Sequence, residues 1–216
     1  MRYYISDLHF FHESLNERMD CRGFASKEQM NEYMITKWNM RVRNGDDVVI
    51  LGDFSIGKGE ETNAILERLN GNKFLIIGNH DKYLEDRKFN LKHFKWIKDY
   101  MELKDNKRKV ILSHYPIMCY NGQYRINSEG QPLTYMLYGH VHNSYDELLV
   151  NQFVLETRKK ERMINGQDEM VNIPCQMINC FCKFSDYKPL TLDEWIELDI
   201  NRREQLEKAY GKDMVN

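Results

Sequence analysis

The 216-residue chain has 42% hydrophobic and 30% charged residues with only 4 prolines, a balance that excludes a disordered or fibrous chain and leaves enough core for a folded enzyme. A formal charge of −2 supplies no net attraction for nucleic acid, and no apolar run approaches the roughly 18 residues that a membrane helix needs. The 5 cysteines are odd in number and lack a Cys-x-x-Cys pair, so neither a disulfide framework nor a structural zinc site is indicated.

The first strand is expected at Tyr3 to Ile5, directly before Asp7, which leaves no room for a cleavable leader. With reduced thiols, this predicts a cytoplasmic protein. A helix follows from about Lys27 to Val42: Met30, Tyr33, Met34, Trp38 and Val42 share one helical face, a core stripe that Ser26 can cap. Asn44-Gly45-Asp46 turns the chain into a second strand, Val48 to Leu51, and a short helix near 60–69 leads to a third, Phe74 to Ile77. Two strand-helix-strand units in succession predict parallel pairing.

Beyond residue 90 the strands come closer together, at about Trp96 to Leu103, Val110 to Ser113 and Tyr135 to Tyr138, which predicts a second sheet. Tyr115 to Pro132 shows no period and reads as a long loop of the kind that commonly serves function. A helix is expected from Tyr145 to about Ile164, its charged outer part compatible with a small appendage near 145–170. Another strand is expected at Ile173 to Phe184, and a C-terminal helix from Leu192 to Tyr210 capped by Thr191. No repeat or flexible linker divides the chain, so 1–216 is read as one domain.

Polar residues recur where these strands should stop. Asp7-Leu8-His9, Gly52-Asp53, Gly78-Asn79-His80-Asp81, Ser113-His114 and Gly139-His140-Val141-His142 hold 5 of the 7 histidines, so five strand ends can converge on one site. Two ions roughly 3.5–4 Å apart can share a hydroxide and clamp a phosphoryl group. Aspartate can bridge such ions, imidazole supplies nitrogen, and an asparagine carbonyl completes a shell without adding charge. Asp7 and His9, two apart at a strand end, can aim at one ion because such residues share a face. His80 can act as a general acid near neutral pH.

The order of these five blocks resembles the calcineurin-like metallophosphoesterase superfamily. The opening Ser6-Asp7-Leu8-His9-Phe10-Phe11-His12 and the tail 186–194 are similar to its small single-domain bacterial and phage members. Arg22-Gly23-Phe24, where similar proteins often have a central proline, and the charged stretch Glu156 to Asp168 depart from that pattern. The resemblance implies a four-layer α/β/β/α sandwich of two mixed β-sheets flanked by helices. It also implies Asp7, His9 and His142 around a first metal, Asn79, His114 and His140 around a second, and Asp53 between them. His80 is implied as the catalytic histidine, with Asp81 fixing its orientation. His12 and Arg22 are weaker expectations for contacting a substrate phosphate, arginine being suited to bidentate contact.

The leading expectation is therefore a metal-dependent hydrolase of phosphodiesters or phosphomonoesters. It would use two divalent ions, manganese first and iron, zinc or nickel as alternatives, on a small nucleotide-like substrate. A scaffold of the same fold that binds a partner, and a nuclease, are the competing readings.

Overall fold

The computed structural model describes residues 1–163 and 170–213, with side chains through 206. Strand β1 (Arg2–Ile5) leads through helix α1 (Lys27–Arg41) to β2 (Asp47–Ile50), and α2 (Gly59–Arg68) connects β2 to β3 (Asn72–Ile76). With β4 (Phe94–Lys98) these form a sheet of order β1-β2-β3-β4, parallel throughout. The second sheet has order β10-β7-β6-β5, from β5 (Tyr100–Asp105), β6 (Arg108–Ser113), β7 (Thr134–Tyr138) and β10 (Met177–Asn179). Only its β5–β6 pair is antiparallel, so this sheet is mixed while the first is not. The difference follows from the connections: helices cross over within the first sheet, whereas Asn106 and Lys107 make a tight hairpin between β5 and β6.

Alternation along the strands builds the layers. Tyr3, Ile5, Val48 and Ile50 face Met30, Met34 and Trp38 of α1 and Leu66 of α2. From the other face of the same strands, Tyr4 and Val49 meet Val110, Leu112, Tyr135 and Leu137 of the second sheet. Ile111, Met136 and Met177 then face Val150 and Val154 of α3 (Tyr145–Arg158). The result is helices, sheet, sheet, helix. A final helix, α4 (Leu192–Asp213), closes one side, where Trp195 donates its indole N–H to the Tyr4 carbonyl at 2.8 Å. Ser26 caps α1 as expected, accepting from the Gln29 amide at 3.2 Å.

Three elements differ from the sequence reading. The run 96–103 is two strands broken at Asp99, one ending the first sheet and the other opening the second. The strand expected over 173–184 is confined to Met177–Asn179. After it the Cys180 amide still bonds the Tyr138 carbonyl, the Cys180 carbonyl turns to the Ser6 amide, and a 3-10 helix follows at Cys182–Ser185. This segment thus passes from one sheet to the other instead of extending either. Helix α3 ends at Arg158 and is followed by β8 (Glu161–Met163) paired antiparallel with β9 (Met170–Asn172). The expected helix end at Ile164 lies outside the described residues.

Candidate metal centre

The five motifs come together where β1, β2, β3, β6 and β7 end, at the carboxyl ends of parallel strands, where α/β sheets commonly bind ligands. Convergence does not arise from strand alternation as the sequence suggested. Strand β1 stops at Ile5, and Asp7 and His9 each turn back with a positive φ, 56° and 49°. Asp53, His140 and His142 do the same at 51°, 70° and 49°, so five of the seven expected ligands occupy a region costly for side-chain-bearing residues. Such strain persists only where surrounding contacts over-determine it.

Those contacts are visible in the glycines and carboxylates. A side chain at Gly78 would run into the backbone nitrogen and carboxylate of Asp53; one at Gly52, whose φ is +87°, would strike the His114 ring. Asp81 is buried, and its carboxylate accepts from the amides of Asp53 (3.0 Å), Phe54 (2.8 Å) and Gly78 (2.8 Å). It therefore ties the second motif to the third and does not orient the His80 ring, which corrects the expectation for Asp81. Burial raises its pKa to about 7, against the pull of these amides.

Two ligand groups result. Asp7, His9 and His142 place one donor atom each within 4.8 Å of one another, as do Asp53, His114 and His140. Asn79 Oδ1 joins the second group, 3.0 Å from His114 Nε2 and 2.9 Å from His140 Nδ1. The two groups meet at Asp53, whose Oδ2 lies 3.4 Å from His9 Nε2 and 3.5 Å from His114 Nε2.

The donor set fits metal ions. His9 Nε2 and His142 Nε2 face each other at 3.1 Å, both rings buried, while His142 Nδ1 is already committed to Asp20 Oδ1 at 2.6 Å. Two imidazole nitrogens this close require a proton or a cation between them. Burial depresses the pKa of His9, so the ring is held neutral, the form that can ligate a metal ion. In the other group His114 Nδ1 lies 2.8 Å from the Leu51 carbonyl, an acceptor that fixes Nδ1 as the protonated nitrogen and turns the Nε2 lone pair toward Asp53. Burial opposes charge on both His114 and Asp53, but their mutual attraction prevails, raising the histidine and lowering the aspartate.

Sequence reasoning missed Asp20, which no motif marks. Its carboxylate receives His142 on one oxygen and Arg22 on the other, and Arg22 continues to the carbonyls of Leu8 (2.7 Å) and Asp7 (2.9 Å). The Arg22 side chain is fully buried and its hydrogen-bonding donors are occupied. It props the Asp7-Leu8-His9 turn from below and is not presented to a substrate, contrary to expectation.

His12 and His80 border the open side, their rings 5.4 Å and 5.3 Å from that of His9, and the His80 amide donates to Asp53 Oδ1 at 2.7 Å. Tyr115, at the start of the long loop, packs its ring 4.5 Å from that of His140 and was also missed. The cleft holds about 240 Å³ and reaches Met19, Ser144 and Asp146.

Among the described residues no helix is long and apolar enough to cross a membrane. No family model matches the chain. The crystal structure of AQ665, a protein of unknown function from Aquifex aeolicus, is similar with a TM-score of 0.59 at 25% identity, over 92% of this chain and 98% of that one. A lesser likeness, with a TM-score of 0.35 at 13% identity, is to a Vps29 single mutant from Entamoeba histolytica, over 82% of this chain and 72% of the other. The uncharacterized protein MJ1445 of Methanocaldococcus jannaschii is 32% identical over 199 residues, 91% of this chain and 89% of its own. At that identity and coverage, the chain belongs to the family of MJ1445.

Proposed function

We propose that this chain is a metal-dependent phosphoesterase of the calcineurin-like type, acting in the cytoplasm on a small phosphorylated substrate, diesters before monoesters. The observation that carries the reading is the single Asp53 oxygen set between His9 and His114, which lets one carboxylate serve two ligand groups. Bound divalent ions would supply Lewis-acid neutralisation of the phosphoryl oxygens and lower the pKa of a water nucleophile. Mixed imidazole, carboxylate and amide donors suit manganese, iron, zinc or nickel, and manganese is proposed first.

The chain's own residues do the remaining work. Asp7, His9 and His142 would hold one ion, Asn79, His114 and His140 the other, and Asp53 both. His80 is exposed at the mouth with its backbone pinned to Asp53, so its ring is free to give a proton to the departing oxygen. His12 stands beside it to orient the ester.

Hydrolysis of bis-p-nitrophenyl phosphate and p-nitrophenyl phosphate by chelator-stripped, manganese-reloaded protein tests the reading. Metal-dependent cleavage, abolished by Asp53→Asn and lowered about 100-fold or more by His80→Ala with metal content unchanged, is the expected result. No cleavage of either ester with metal bound would overturn it in favour of a partner-binding scaffold.

A further inference from the structure

A second cavity of about 470 Å³ opens beside the metal cleft, lined by His12, Ile56, Gly57, Lys58, His80, Lys82, Tyr83 and Asp86. His12 and His80 line both cavities, so the two adjoin at these histidines. Those two are the histidines of the cleft that lie outside both ligand groups. If His80 protonates the departing oxygen as proposed, the leaving group lies on its side of the ligand groups, and beyond His80 lies this cavity. Its size suits a nucleoside-sized body, since small-molecule sites run from roughly 300 to 1,000 Å³.

The lining narrows the chemistry. Ile56 is an exposed apolar side chain, and Lys58 and Lys82 stand exposed at the rim. The one lining carboxylate, Asp86, spends its oxygens on the amides of Gly59 (2.8 Å) and Lys88 (3.0 Å). The neighbouring Glu60 is paired with Lys88, and Glu61 accepts from the Lys58 amide. Among the described residues neither Lys58 nor Lys82 forms an ion pair, so two ammonium groups stand at the rim of a cavity whose one carboxylate, Asp86, is tied to backbone amides. Lysine binds phosphate as a point charge and needs no fixed fork.

We infer that this cavity receives the leaving group of the substrate and that the leaving group is an organic body carrying a second phosphate, bound by Lys58 and Lys82. The inference rests on the phosphoesterase reading for which end of the ester enters, but the contact itself requires no metal.

Calorimetric titration of the chelator-treated full chain with adenosine 3′,5′-bisphosphate, at low salt, is the test. Binding that weakens at least tenfold in Lys58→Ala/Lys82→Ala, and is kept in Lys58→Arg/Lys82→Arg, is expected, whereas adenosine alone should not distinguish the proteins. Equal affinity of the wild type and the alanine pair, or no binding by the wild type, would overturn the assignment. Ester hydrolysis by the metal-loaded wild type is read separately: bisphosphate binding without hydrolysis would keep the cavity and remove the phosphoesterase reading, and hydrolysis with lysine-independent binding would do the reverse.

Discussion

His142 depends on a residue that never reaches the cleft. Its Nδ1 is held by Asp20 at 2.6 Å, and Asp20 is in turn held by the buried Arg22. A carboxylate behind a ligating imidazole fixes its tautomer and raises its basicity, and losing such a partner typically lowers metal affinity by about 10–100-fold. Asp20→Asn is therefore expected to weaken one of two ion-binding phases by that factor and to spare the other, in a competition titration with a chromophoric chelator. Equal weakening of both, or of neither, would show that Asp20 does not act through His142. The residue scale is also where sequence and structure part most clearly. Asp7, His9 and Asp53 are visible as motif members, but their left-handed backbone and the Asp81 carboxylate that braces Asp53 are not. Short spacing reveals which residue types are close in the chain; it does not reveal which buried donors and acceptors will pair across it.

At the scale of elements, α4 shows how local chemistry can be read directly. Thr191 Oγ1 accepts from the Glu194 amide at 3.4 Å, and the Glu194 side chain returns to the Thr191 amide at 2.9 Å, a reciprocal cap that also engages Arg41. Thr191→Ala should cost about 1 kcal/mol in urea unfolding. Burial pushes the Glu194 carboxyl up, but the Thr191 and Arg41 hydrogen bonds outweigh it and hold the pKa below the ordinary value of 4.5. A carboxylate lowered on folding stabilises above its unfolded pKa and loses that contribution as pH falls through the folded value. Stability should thus drop on acidification below about pH 4.5 by less in Glu194→Gln than in the wild type; matching acid limbs in pH-dependent melting would sink the idea. Helices with a cap and an apolar face, α1 and α4, matched their expected spans closely because both signals are local. The split at Asp99 did not show, because 96–103 has uniform strand character and only the sheets decide where it breaks.

For the whole molecule, ions held at the candidate metal centre would also fasten the two sheets together. Its ligands come from both sheets, Asp7, His9, Asp53 and Asn79 from the first and His114, His140 and His142 from loops of the second. An ion bound only by the folded state stabilises it by about 2.7 kcal/mol at 100 times its dissociation constant, or about 5–10 °C in melting temperature for a domain of this size. Scanning calorimetry of chelated and manganese-reloaded protein should show that rise. Identical melting temperatures with metal demonstrably bound would mean that the ions do not join the sheets.

Sequence alone determined the parts of this protein that depend on neighbours in the chain: the strand-helix-strand order, the core stripe of α1, the caps at Ser26 and Thr191, and the residue types gathered at the strand ends. Tertiary structure alone decided the contacts between segments far apart in sequence. It buried Arg22 under Asp7, put Asp20 behind His142, turned Asp81 onto the Asp53 loop, and opened a lysine-rimmed cavity beyond His80. The physical reason is range: propensity and periodicity act over a few residues, whereas a buried charge or an unpaired amide is satisfied by whichever group the packed layers bring within about 3 Å.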